Sequence, residues 1–332
     1  MSFEFPKRIV HGGAGKRLQE KTHKHVLDFS ASVNPLPPRF SWDCDSMDLL
    51  CYPDDDYTRL KERIAQTFGK KPEEICVGNG SVELIRAFCR VMLTDKKKYF
   101  LSSPTFGEYD LSARLAGAFI TASSDTADVC FVCNPNNPTG ILQPKNELLY
   151  QLERCAHNGS TLFCDEAFIE LSDPNESLAD ISNPHLFVLR SLTKSFSVPG
   201  IRFGYGFGSP DLIEKIETAR DPWSVNAFAE SYAMEAFLHV DELAASRDYI
   251  AKERDWLVKE LAGREFYPNP SSTNFILVDC KRDVQSLVQG LLHEGILVRD
   301  CTSFGLPHCI RIAVRLHAEN QQLVEALDRC VR

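Results

Sequence analysis

Short apolar runs alternate along this chain with longer stretches in which apolar residues recur every three or four positions. The runs EICVGNG (74–80), KYFLSS (98–103), ADVCFVC (127–133), STLFCDEAF (160–168), HLFVLRS (185–191) and IRFGYGFG (201–208) are rich in Val, Ile, Leu and Phe and read as strands. Between them, residues 81–93, 106–117 and 145–157 carry helical spacing. Such alternation predicts an α/β fold with a mostly parallel central sheet and helices on both faces. From about Asp211 the texture shifts to long helices, followed by the strand-like TNFILVDC (273–280), GILVRDC (295–301) and HCIRIAVR (308–315). We therefore expect an N-terminal segment over 1–45 that packs with the small domain, a large domain over 46–220, and a smaller α+β domain over 221–332.

Composition narrows the class. The 332 residues are 43% hydrophobic and 25% charged, an ordinary globular balance, and the formal net charge of -9 argues against a nucleic-acid surface. No signal-peptide core and no run of eighteen uncharged apolar residues is visible, so the expectation is a soluble cytoplasmic protein with no membrane partner. Twelve cysteines are scattered along the chain. The one CxxC, Cys130 to Cys133, has no second pair to complete a tetrahedral site, so no metal is expected and the cysteines read as small core residues.

Ligands of a doubly wound sheet gather at the carboxyl ends of its strands, and four of those ends carry chemistry. Gly80 and Ser81 open a helix after the first strand, where free N–H groups suit an anion; alone, this is a cap. NPNNPTG (134–140) follows the third strand. Asp165 ends the fourth, and by itself reads as half of an ion pair. Ser191 and Lys194 follow the fifth, with Arg202 opening the next. A lysine in so apolar a setting is costly unless its charge is paired or consumed. One ligand uses every one of these groups: pyridoxal 5'-phosphate. Lys194 would hold it as a Schiff base, Asp165 would pair with the pyridinium N–H, and Asn137 would donate to the phenolate. Ser191, Arg202, Gly80 and Ser81 would bind the phosphate, and Phe106 in SPTFGEY would stack on the ring.

The residues Asn137-Pro138-Thr139-Gly140, Asp165 and Ser191-x-x-Lys194 with Arg202 resemble the fold-type I pyridoxal-phosphate enzymes of the aspartate aminotransferase superfamily. Within it, HGG (11–13), LDFSASVNPLPP (27–38), CYPDDDY (51–57), GNG (78–80), LRSLTK (189–194), DPWSVNA (221–227) and RIAVR (311–315) look like the L-threonine-O-3-phosphate decarboxylases of cobalamin synthesis, whose close relatives are the histidinol-phosphate aminotransferases. The resemblance covers essentially the whole chain. It implies a homodimer with shared active sites, in which Tyr52 reaches the partner's cofactor phosphate. It also implies that Arg311 grips the substrate carboxylate, and that Arg299, with His11 nearby, faces the phosphate of a phosphorylated amino acid.

Two positions depart from the pattern. Position 168 is tyrosine in many aminotransferases and Phe168 here, which removes a donor to the cofactor phenolate and fits the decarboxylase branch better. Ser32 stands where the decarboxylase pattern usually has asparagine near the substrate phosphate, which makes O-phospho-L-serine a second candidate substrate beside O-phospho-L-threonine. The alternative activity is transamination of histidinol phosphate. A non-catalytic cofactor-binding module is disfavoured because Lys194 and Asp165 are intact and no helix-turn-helix or basic arm precedes them.

Overall fold

The computed structural model describes residues 5–331. In chain order the strands are β1 (Leu27–Asp28), β2 (Ile75–Gly78), β3 (Lys98–Leu101), β4 (Phe119–Ile120), β5 (Val129–Cys133), β6 (Thr161–Asp165), β7 (Leu186–Ser191), β8 (Gly204–Phe207), β9 (Tyr267–Pro268), β10 (Phe275–Asp279), β11 (Ile296–Leu297), β12 (Arg299–Asp300) and β13 (Cys309–Ala313). Seven of them form one sheet in the order β2-β8-β7-β6-β5-β3-β4. Its pairings are parallel from β4 through β7, and β8 runs antiparallel to both neighbours.

Both faces of this sheet are covered, which is why its inner strands read as continuous apolar runs. Along β5, Cys130 and Val132 join Leu148 and Leu152 of the helix Lys145–His157 on one face. Val129, Phe131 and Cys133 join Phe88 and Tyr109 on the other. The period-2 alternation therefore sends Cys130 and Cys133 to opposite faces, and the CxxC is not a paired feature of the fold. A separate core of Leu257, Ile276, Val278, Leu291, Ile312 and Leu327 takes in Leu27 and Phe29 from the N-terminal segment. The antiparallel sheet β12-β13-β10-β9 and the two-residue pair β1-β11 frame it.

The structure departs from the sequence pattern at several points, the unexpected two-residue strands β1 and β9 among them. β4 was not expected: it is an edge strand of two exposed residues, too short for any alternation to register. The strand expected from Ile201 begins at Gly204, because Arg202 takes a left-handed φ of 63° and the chain is still turning there. The run 295–301 is split at Val298, its first half pairing with β1 and its second with β13, in different sheets. The helix expected over 106–117 occupies Glu108–Leu115, leaving Phe106 in the loop before it. Among the described residues, no helix is long and apolar enough to cross a membrane.

Candidate active site

The carboxyl ends of β2, β5, β6 and β7 meet in one place, and what they bring together is a cluster of cations with few acids. Ser191 is the last residue of β7 and the N-cap of the short helix Leu192–Ser195, its Oγ accepting from Thr193 N–H, so Lys194 is presented one turn beyond the sheet edge. Among the described residues, Lys194 Nζ has no hydrogen bond and no carboxylate within ion-pair reach. The nearest ring is that of Phe168, whose centroid lies 5.9 Å away. Burial, aided by the Arg311 and Arg202 charges, lowers its amine to about 8, with Asp165 opposing. An amine held near neutrality is a usable nucleophile and proton carrier.

Asp165 closes β6 and is 3% exposed. Tyr109 Oη donates to its Oδ2 at 2.6 Å, and the Ala167 amide donates to its Oδ1 at 2.9 Å. Burial still raises the carboxyl to about 6, and these two donors hold it down against that cost. Tyr109 sits three residues beyond Phe106, and their rings meet edge to face at 5.6 Å. Thus one segment delivers both a ring that can cover a ligand and the hydroxyl that orients Asp165.

Across the site, the helix Ser81–Met92 starts at Gly80 without a side-chain cap, leaving N–H groups of its first turn for a ligand. The Arg202 guanidinium lies directly against this start. A Cβ on Gly80 would sit 2.3 Å from Arg202 Nη2, and Gly80 has φ +81°, so glycine is required there twice over. Gly204 is pressed as closely, its Cβ position 2.4 Å from Ser81 N. The result is a cradle of helix N–H groups, Ser191, Thr193 and a guanidinium, the donor set of a phosphate.

On the other side, Arg299 and Arg311 stand directly opposite each other on β12 and β13, hence on one face of the small sheet. They are 7% and 6% exposed, and among the described residues neither has an acidic partner. Arg311 donates from Nη1 to Asn137 Oδ1 and from Nη2 to the Ser30 carbonyl at 3.1 Å, and its Nε is unpartnered. Burial lowers it to about 10. Because the Asn137 oxygen is taken by Arg311, its amide N–H groups are free to donate into the site. Arg299 binds the Val10 carbonyl at 2.9 Å and Ser303 Oγ at 2.6 Å. Ser32 is 2% exposed and its hydroxyl has no partner. Buried cations and a buried hydroxyl left in this state are arranged for an anion that completes them.

The N-terminal segment crosses between the two halves. Val10 meets Arg299, while His11 Nε2 lies 2.9 Å from Glu108 Oε1 and its ring 6.0 Å from that of Phe106. Asn34 bonds the Ser195 carbonyl at 2.7 Å, tying this segment to the lysine helix. Tyr52 is the expected site residue that the chain does not bring in. It is 80% exposed, with its ring 4.6 Å from that of Trp223.

Sequence reading missed three contributors. Tyr109, Thr193 and the network behind the site carry no motif of their own, although the helix expected over 106–117 sets Phe106 and Tyr109 three positions apart, as neighbours on one face. That network lies on the opposite sheet face. Arg190, beside Ser191, donates to Glu166 at 2.9 Å, to Glu170 at 2.7 Å and to Ser177 at 2.7 Å, all buried. It ties β7 to the segment after Asp165 and so fixes the two chain ends that carry Asp165 and Lys194.

Similarity to known proteins agrees with this chemistry. The pattern described as "Aminotransferase class I and II" matches residues 43–327. The chain belongs to that family. It is 35% identical over 325 residues to the "Putative threonine-phosphate decarboxylase" of Caldanaerobacter subterraneus subsp. tengcongensis, covering 90% of this chain and 88% of the relative. It is 33% identical over 328 residues to histidinol-phosphate aminotransferase 2 of Archaeoglobus fulgidus, covering 92% and 93%. The fold matches the crystal structure of histidinol-phosphate aminotransferase from Sinorhizobium meliloti in complex with pyridoxal-5'-phosphate, with TM-score 0.84 and 21% identity over 96% of this chain and 94% of that one.

The fold is therefore fold-type I, and pyridoxal 5'-phosphate is the cofactor of this family member. The residues present fit it: a glycine-floored phosphate cradle, a buried carboxylate for the ring nitrogen, and an unpaired lysine between them.

Proposed function

We propose that this enzyme decarboxylates O-phospho-L-threonine to (R)-1-amino-2-propanol O-2-phosphate for the cobalamin nucleotide loop, and that O-phospho-L-serine is a second substrate. The observation that carries the reading is the opposed pair Arg299 and Arg311, buried without acids among the described residues, with Arg311 bonded to the Ser30 carbonyl of the segment that also holds the buried, unpartnered Ser32 hydroxyl. A substrate with one carboxylate and one phosphate answers two guanidinium groups on one face. The relative named as a threonine-phosphate decarboxylase supports this branch. Transamination of histidinol phosphate is the second reading, favoured by the Archaeoglobus relative.

Lys194 would hold the cofactor aldehyde, Asp165 the ring N–H and Asn137 the phenolate oxygen, and Phe106 would cover the ring. Gly80, Ser81, Ser191 and Arg202 hold the cofactor phosphate. When bound, pyridoxal phosphate supplies a cationic ring that takes up the electron pair left as carbon dioxide departs. The protein decides which bond at the substrate α-carbon breaks. Arg311 would hold the carboxylate, and Arg299 with Ser32 and His11 would hold the phosphate, so remote binding energy would fix which bond at the α-carbon is set to break. The Lys194 amine, held near neutrality, would carry the proton that the substrate α-carbon takes up.

The reading includes a homodimer in which Tyr52 completes the partner's phosphate cradle, which accounts for a tyrosine 80% exposed in the single chain. It also includes the division at 45 and 220 into N-terminal segment, large domain and small domain, and a cytoplasmic location.

Substrate competition tests the proposal. The expected ranking is phosphothreonine first, phosphoserine second and unphosphorylated threonine about a hundredfold lower in kcat/KM, since a buried guanidinium without its anion loses about 2–5 kcal/mol. Faster turnover of histidinol phosphate with 2-oxoglutarate would establish the second reading instead.

A further inference from the structure

The site is lined by cations, yet one acid is buried at its edge. Glu108 is 3% exposed and opens the helix Glu108–Leu115, a position where the helix dipole favours a carboxylate. His11 Nε2 lies 2.9 Å from its Oε1, and Arg86 Nη2 lies 3.6 Å from its Oε2, which accepts no hydrogen bond. The His11 bond and the Arg86 charge hold the Glu108 carboxyl below its ordinary value, although burial opposes them. The carboxylate is therefore charged at neutral pH and commits one nitrogen of the His11 ring.

Three residues of one short segment serve three neighbours here. Phe106 has its ring 6.0 Å from that of His11, Glu108 holds His11, and Tyr109 bonds Asp165. The N-terminal segment is pressed against them: a Cβ on Gly107 would meet Ile9 Cδ1 at 3.0 Å. One residue on, the Val10 carbonyl accepts from Arg299 Nη2 at 2.9 Å. Residues 9–11 thus run between Glu108 and Arg299, with the His11 side chain half-exposed. Among the described residues, His11 Nδ1 has no hydrogen bond.

We propose that Glu108 is a positioning residue for substrate choice: by taking His11 Nε2 it leaves Nδ1 as the nitrogen that meets the substrate phosphate beside Arg299. It rests on the phosphate grip assigned above to Arg299 and His11. A ring whose Nε2–H donates to a carboxylate can meet a phosphate in two ways. A protonated ring donates from Nδ1 to a dianion, and Glu108 balances its charge. A neutral ring accepts at Nδ1 from the P–O–H of a monoanion, and Glu108 fixes the proton on Nε2. A bare carboxylate in this place would repel the phosphate, so the pair works only with His11 between them.

The experiment titrates the cofactor-loaded protein with O-phosphoethanolamine and, separately, with ethanolamine, and reads binding from the absorbance of the bound cofactor. Neither ligand carries a carboxylate, so the result does not depend on which bond the enzyme breaks. The wild type should favour the phosphorylated amine, and Glu108→Gln should cut the ratio of the two affinities by about tenfold. Glu108→Asp keeps the charge but draws it back from His11 and should lower the ratio too, so a poorly folding Glu108→Gln chain does not decide the matter. In a His11→Gln background the Glu108 substitution should cost nothing further, as expected of a residue that acts through the histidine. An equal loss of both ligands would mark Glu108 as a structural latch, and a full further loss on top of His11→Gln would mean that it acts on its own; either overturns the proposal. So does a ratio that Glu108→Gln and Glu108→Asp leave unchanged. A wild type that binds the two amines alike has no phosphate grip, and the substrate reading then falls together with this assignment.

Discussion

The Tyr109 hydroxyl donates a 2.6 Å hydrogen bond to Asp165 Oδ2 inside a fully covered pocket. The carboxylate that is to hold the cofactor ring nitrogen therefore depends on a residue three positions past the stacking phenylalanine. Tyr109→Phe removes one of its two donors, so the Asp165 carboxyl should rise above its value of about 6. Losing a donor to a buried charge costs about 1.5–3 kcal/mol, so cofactor affinity at pH 7 should fall by about tenfold to a hundredfold. Equilibrium dialysis across pH 5.5–8.5 checks both the loss and the displacement of its pH midpoint upward; an unmoved midpoint contradicts the role.

Lys194 sets a pH dependence in the cofactor-free protein. Its amine is lowered to about 8 from 10.5, so between those values the unfolded chain binds more protons and this group makes stability rise with pH. Below pH 8 the charged amine costs stability that Lys194→Met recovers. The apo variant should thus melt above wild type at pH 7, with the gap closing as pH rises through 8 toward 10.5. A gap that stays constant over that window contradicts a lowered lysine.

Gly80→Ala strikes the phosphate cradle. A methyl group there meets the Arg202 guanidinium at 2.3 Å and the backbone has φ +81°, so the strain is of order 1–3 kcal/mol. Pyridoxal phosphate affinity should fall while pyridoxal, which lacks the phosphate, binds as before. Equal losses for both ligands would show a general collapse of the site.

Phe168→Tyr places a hydroxyl on the ring whose centroid lies 5.9 Å from Lys194 Nζ. Donation to the cofactor phenolate should favour its ionised form, and spectral titration of the lysine-linked cofactor should show a lower pKa than wild type. An identical titration would mean that the hydroxyl does not reach.

How far the sequence carries the account differs between its parts. The longer strands of the large sheet were readable because both faces are buried, Asp165 and Ser191 because each closes an apolar run, and Lys194 because it follows Ser191 in an apolar setting. The opposition of Arg299 and Arg311 was not, since it depends on antiparallel register between segments whose pairing no local pattern encodes. The break at Val298 has the same origin: one continuous apolar run serves two sheets. Tyr109 was hidden because a tyrosine on an apolar helix face reads as core, and it is core, apart from one oxygen. The cysteines of the CxxC, read as small core residues, are buried on opposite faces of β5.

Arg299 and Arg311 can be separated by kinetics. Arg299→Leu should raise the phosphothreonine KM by about a hundredfold and leave the response to unphosphorylated threonine near wild type, whereas Arg311→Leu should depress both. Equal effects on both substrates from either variant would contradict separate grips for phosphate and carboxylate.

The most direct measurement supplies cofactor-loaded protein with O-phospho-L-threonine and no keto acid, and follows carbon dioxide release. The account predicts sustained turnover, with one phosphorylated aminopropanol formed per carbon dioxide and the cofactor spectrum unchanged at the end. No carbon dioxide, with activity appearing only when histidinol phosphate and 2-oxoglutarate are added together, would contradict it.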